Sequence, residues 1–120
     1  MISLGAGHRF YLYGTPTDMR KGFDGLSGIV LQSGRQLLDG TVFVFVNRRR
    51  DKIKLLVWDR SGLLLFYKRL EGGTIELPTI APGQTSGPIS WTTLMLMLEG
   101  ISLQNIVKRK RFYPDSVNKF

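Results

Sequence analysis

The residues of this chain that could do chemistry are one histidine, a scatter of carboxylates and a surplus of clustered cations. The histidine, His8, stands alone in a small, Gly-rich start. It cannot build a His-based metal site, and nucleophilic catalysis would need it firmly held beside a nucleophile. The carboxylates weigh more, because Asp and Glu side chains hold Mg²⁺ in many DNA-processing sites. Asp39, Asp51, Asp59, Glu71 and Glu76 all fall in or beside the central third of the chain. Asp39, Asp51 and Asp59 occupy turn positions, where Asp is favoured for local hydrogen bonding. Glu71 precedes two glycines, again a turn. Structural use explains each of them without a metal. Gly22–Gly28 matches neither GxxxxGK[ST] nor GxGxxG. Residue chemistry alone therefore reads as a binding module rather than an enzyme, with no cofactor and no metal.

The cations make the stronger pattern. Seventeen Lys and Arg face nine Asp and Glu, a formal charge of +8. Such an excess attracts polyanions, above all nucleic acid. Arg48, Arg49, Arg50 and Lys52 fall on one turn and Lys54 on the strand that follows, with Lys52 and Lys54 on the same side. Lys68 and Arg69 end the next strand, and Lys108, Arg109, Lys110 and Arg111 precede Phe112 and Tyr113. Arginine suits phosphate because its planar fork donates two hydrogen bonds at once. Phosphate contact brings affinity without sequence reading. The two aromatics beside the last cluster could stack on single-stranded bases. The plainer alternative for each cluster is a solvated turn or tail.

These residues need elements to position them. Thr41–Glu71 reads as three consecutive strands, Thr41–Val46, Ile53–Trp58 and Leu63–Leu70, joined by tight turns into an antiparallel meander. Both faces of the first strand are apolar, so it should be buried on both sides. Arg9–Tyr13 is a short aromatic strand, and Thr74–Leu77 reads as another, closed by Pro78. A helix over 18–32 carries Met19, Phe23, Leu26, Ile29 and Val30 on one face, with Thr17 or Asp18 as its cap and Gly34 as its stop. Gly22, Gly25 and Gly28 nearly align along that helix, a smooth stripe that would let its backbone lie close against the sheet, the favoured reading, or against a partner. Thr79–Pro88 is a polar loop, long enough to suspect function. Ser90 caps a second helix, 91–99, which Gly100 stops. Ser102–Val107 reads equally as a helical turn or a strand. The expected architecture is a single α+β domain over 1–120: a meander of four to five antiparallel strands with two helices, and loosely ordered ends at 1–8 and 114–120.

The chain has no cysteine, which fits a reducing cytosol. The start MISLGAGHRF reads as lacking a secretory leader, and no apolar run is long enough to span a membrane. The expected setting is cytoplasmic.

Several stretches resemble the TnpB, or second-reading-frame, proteins of the "insertion sequence sixty-six" group of bacterial transposable elements. Thr17-Asp18-Met19-Arg20-Lys21-Gly22-Phe23-Asp24-Gly25-Leu26 is similar to their N-terminal signature. Gly40–Val46, the Asn47–Asp51 turn, Lys54–Asp59 and Lys68–Gly73 resemble the central one. Leu98-Glu99-Gly100-Ile101 and the basic end match the last. The likeness covers about residues 8 to 113, and Arg60 departs from it, standing where a small or polar residue is expected. The resemblance implies an accessory protein encoded beside a separate transposase, and not the strand-cutting enzyme. It implies no catalytic residue: Asp18, Arg20, Lys21, Gly22, Trp58, Lys68, Arg69 and Glu71 mark identity only.

Charge and resemblance together give the expectation: a non-catalytic factor that binds DNA at element ends or in the transposition complex. Its contacts would be Arg48–Arg50, Lys52, Lys54, Lys68, Arg69 and Lys108–Arg111. Two rivals stay open. One is a module that docks on the transposase or on a second copy of itself, and the other is a small nuclease using Asp59, Glu71 and a third carboxylate.

Overall fold

The computed structural model describes residues 3–100. Lys108–Arg111, Phe112 and Tyr113, and the undecided segment Ser102–Val107, lie outside the described residues. The elements in chain order are β1 (Phe10–Tyr13), α1 (Phe23–Gln32), β2 (Val42–Val46), β3 (Lys52–Asp59), β4 (Gly62–Arg69), β5 (Gly87–Ile89) and α2 (Trp91–Glu99). They form an α+β arrangement around one five-stranded sheet, ordered β4-β3-β2-β1-β5.

Alternation along the strands decides which side of the sheet each residue serves. Val42, Val44 and Val46 of β2 and Ile53, Leu55 and Val57 of β3 point to one side, where Leu94 and Met97 of α2 cover them. Phe43, Phe45 and Leu56 point to the other, under Leu26 and Val30 of α1. Every residue of β2 is buried, as its two apolar faces require. α2 starts where Ser90 Oγ accepts from the Thr93 amide at 3.1 Å, and it stops at Gly100, left-handed at φ 69°.

Four expectations need correction. The sheet is mixed: β2, β3 and β4 make the antiparallel meander, but β1 runs parallel to β2. A parallel neighbour needs a crossover, and α1 supplies it. Thr74–Leu77 is not a strand. It crosses the α2 side irregularly, plugs the core with fully buried Ile75 and bonds the Ile75 amide to the Arg50 carbonyl at 2.6 Å. The fifth strand comes instead from the end of the polar loop, where β5 pairs antiparallel with β1. Gly87 permits this, because a Cβ there would run into the Ile80 side chain.

The helix start also moves. α1 begins after Gly22, without a side-chain cap, because the Asp18 carboxylate is taken by Arg20. Residues 17–21 instead lie as a separate segment, fastened by the Thr17 amide to the Val46 carbonyl at 2.9 Å. Nor does the glycine stripe pack on the sheet. A Cβ built on Gly22 or Gly28 meets no atom within 4 Å, and one on Gly25 meets only the Lys21 side chain.

Candidate nucleic-acid interface

The turn between β2 and β3 is built by one side chain. Asn47 Oδ1 accepts from the amides of Asp51 and Lys52, each at 3.0 Å, and its Nδ2 donates to Asp51 Oδ1 at 2.7 Å. The Asn47 amide also donates to the Lys52 carbonyl at 3.2 Å. Closing the loop so tightly places Arg50 in the left-handed region at φ 59°. Arg48, Arg49 and Arg50 are held exposed on this frame. The Asn47 hydrogen bond, followed by the charge of Lys52, keeps the Asp51 carboxyl below the usual range.

Beside the turn sits the 17–21 segment, and one residue holds it there. Lys54 is expected from the sequence to contact nucleic acid from the same side of the strand as Lys52. It does share that side of β3, but it is buried, and its ammonium donates to the carbonyls of Met19 and Lys21 at 2.8 Å each. Alternation gives the side of the sheet but not what covers it, and the 17–21 segment covers Lys54. The same ammonium lies 4.5 Å from the centre of the Tyr67 ring, its cross-strand partner on β4. Lys54 is therefore a fastening, and its charge is turned inward.

Between the turn and this segment lies a depression of about 470 Å³, with Thr17–Arg20 on one side, Asn47–Arg49 on the other and Lys52 and Tyr67 at its end. A second depression of about 320 Å³ adjoins it, bounded by the same Lys52 and Tyr67 together with Arg69 and Glu71. The charges around the pair are unequally matched. Asp18 grips Arg20, with Oδ2 at 2.7 Å from Nη2, and this charged hydrogen bond lowers the Asp18 carboxyl to about 2. Glu71 accepts from Arg69 Nε at 2.7 Å, and Asp51 lies 3.6 Å from the Lys52 ammonium. Arg48 and Arg49 have no carboxylate partner among the described residues. The surplus positive charge of the groove is theirs.

The remaining expected contacts separate. Lys68 points to the opposite side of the sheet from Arg69, where its ammonium donates to the Leu98 carbonyl at 2.8 Å and fastens β4 to the end of α2. Arg50 is at the tip but does not line the groove. His8 accepts weakly from the Gly5 amide and lines a different hollow, beside Arg9 and Arg35. The carboxylates offered for metal chemistry do not converge: Asp59 pairs with Gly62 at one end of β4, and Glu71 follows its other end. An eight-residue strand separates them by on the order of 20 Å. Among the described residues no three of His, Asp and Glu are grouped to hold a metal ion, and no helix is long and apolar enough to cross a membrane.

Sequence reasoning missed Thr17, Asp18, Met19, Arg20, Asn47 and Tyr67 as groove residues. Tyr67 was detectable, since alternation puts it with Arg69 on the side of the sheet that carries Lys52 and Lys54. The approach of 17–20 was not, because it depends on the break before α1.

Fold and groove together define a small sheet protein that presents a braced, cationic hairpin beside the lead-in to its crossover helix. The model of the family described as "IS66 Orf2 like protein" matches residues 8–108. The chain belongs to this family, which makes it an insertion-sequence accessory protein at the level the family defines. Two proteins of Sinorhizobium fredii (strain NBRC 101917 / NGR234) are similar to it, and both are named as uncharacterized. Protein y4jC is 36% identical over 87 residues, covering 69% of this chain and 72% of its own length. Protein y4hO is 35% identical over 103 residues, covering 84% and 87%. No solved structure matches.

Proposed function

We propose that this protein binds DNA on behalf of its insertion sequence, with Arg48 and Arg49 on backbone phosphates and Lys52 and Arg69 in support. One observation carries the reading: the braced turn and the 17–20 segment flank a groove in which the two cations without a carboxylate partner among the described residues are both arginines. Phosphate gains most from such groups, because the guanidinium fork donates two bonds and remains charged at any working pH. A rigid turn also loses little freedom on binding, so more of each contact is expressed as affinity. Lys52 and Arg69 each have a carboxylate neighbour and join when phosphate displaces it. Membership of an insertion-sequence family supports this reading, in which the protein acts at element ends or in the transposition complex without chemistry of its own.

The test is fluorescence anisotropy with element-end duplex over a range of salt. Two to four phosphate contacts give a log–log slope of about −2 to −4. Folded protein that binds no DNA at low salt contradicts the proposal.

A second reading has its own support. β4 lies at the edge of the sheet for eight residues, and a long unpaired edge is a template for strand addition by another chain. On this reading the protein docks on the transposase or on a second copy of itself. Co-purification with the transposase that survives replacement of Arg48, Arg49 and Arg50 by alanine favours docking over DNA contact.

A further inference from the structure

We infer that the groove takes an unpaired nucleotide, with its base stacked on Tyr67 and its flanking phosphates on Arg48, Arg49 and Lys52. This rests on the DNA-binding reading and goes beyond it, because backbone contact alone needs no aromatic.

Tyr67 is 54% exposed, a large aromatic left in water although Leu63 and Leu65, on the same side of β4, pack against the core. It lines both depressions, as Lys52 does, so its ring is within reach of a group bound in either one. The Lys54 ammonium lies over the ring at 4.5 Å, and that ammonium is itself fixed by two carbonyl oxygens. Packing of this kind steadies the ring and so lowers the ordering cost of stacking on it. Cations stand close by on both sides: Arg48, Arg49 and Lys52 line the first depression, and Lys52 and Arg69 the second.

A ring presented between cations matches the recurring chemistry of single-strand recognition, in which bases stack on aromatics while basic groups follow the backbone. An intact duplex offers phosphates to Arg48 and Arg49, but its bases are already stacked on one another. Only a base freed from its partner, in a single strand, at a junction or in an opened end, can use Tyr67. The ring has no part in holding the turn, whose hydrogen bonds are all made by Asn47 and the backbone.

The experiment compares a fluorescent oligothymidylate with a blunt duplex, for the wild type, Tyr67→Phe, Tyr67→Leu, Tyr67→Ala and Arg48→Ala/Arg49→Ala, each checked for folding by circular dichroism. Tyr67→Phe should keep both affinities. Tyr67→Leu, which still covers Lys54 but offers no aromatic face, should weaken oligothymidylate binding between about fivefold and a hundredfold. The same variant should leave duplex binding within about twofold. Tyr67→Ala should repeat this result if it folds, and the arginine variant should weaken both probes. Equal effects of Tyr67→Leu on the two probes, or no effect on either, overturn the stacking site and leave the DNA-binding reading standing. Wild type that binds neither probe overturns both.

Discussion

The Lys54 ammonium donates to the Met19 carbonyl oxygen at 2.8 Å and so ties β3 to the segment that leads into α1. This bond, with its companion to Lys21, brings the Thr17–Arg20 signature against the basic turn. Two stretches of sequence about thirty residues apart thereby become the two sides of one groove.

The first prediction concerns that fastening. Lys54→Met keeps much of the apolar stem but removes the donor and leaves two carbonyls without it. The protein should lose about 1–3 kcal/mol, read from the midpoint of urea unfolding. Unchanged stability would mean that the two bonds contribute nothing net.

A second prediction concerns the charged pair at the groove. The Asp18 carboxyl is held at about 2, against an ordinary 3.8, chiefly by the Arg20 guanidinium and then by the Arg20 amide. The sign follows from the lowered value: the stabilisation from the ionised pair is fully present above pH 3.8 and is lost as pH falls through about 2. Carboxyl-detected NMR should find the Asp18 midpoint well below the usual range. Arg20→Ala should move it back up, as should high salt, because the pair is exposed. A midpoint indifferent to Arg20 contradicts the pairing.

The glycines of α1 give a third. Gly28 lies inside the helix, at an ordinary φ and with open space where a Cβ would go. Gly28→Ala should raise stability by about 1 kcal/mol in chemical denaturation. Gly87→Ala should lower it, since Ile80 fills the space its Cβ would need. Gly28→Ala that stabilises the fold but impairs transposition in cells would mark that face of α1 as a contact for another molecule.

A fourth tests the frame of the turn. Asn47→Ala removes the acceptor shared by the Asp51 and Lys52 amides and should speed exchange of both amide protons in NMR. DNA affinity should fall even though every cation is still present, because Arg48 and Arg49 are then without their frame. Wild-type exchange in that variant would show that the backbone closes the turn unaided.

Much of this could be read from residue order. The β2–β4 meander follows from alternation and two compact turns, and α2 from a serine cap, an apolar stripe and a stopping glycine. The basic turn was legible too, since Asn47-Arg48-Arg49-Arg50-Asp51 sits between two apolar strands. What escaped were relations between distant parts. The parallel pairing of β1 with β2 depends on where α1 sends the chain back, which no local pattern encodes. β5 is Gly-Pro-Ile, with almost no strand propensity, and it pairs because β1 offers it an edge. Thr74–Leu77 reads as a strand by composition, yet only Ile75 is fully buried, with Leu77 partly buried against the same core. Lys54 looked like a contact because its charge is visible in sequence and its cover is not.

If Arg48 and Arg49 grip phosphate as proposed, their loss must change how DNA binding responds to salt. Binding of element-end duplex should be measured from low to physiological salt for the wild type and Arg48→Ala/Arg49→Ala. The variant should bind more weakly, with a log–log slope shallower by about 0.9 for each phosphate that is no longer gripped, nearly two in all. A variant that binds with the wild-type slope and affinity would contradict the phosphate grip.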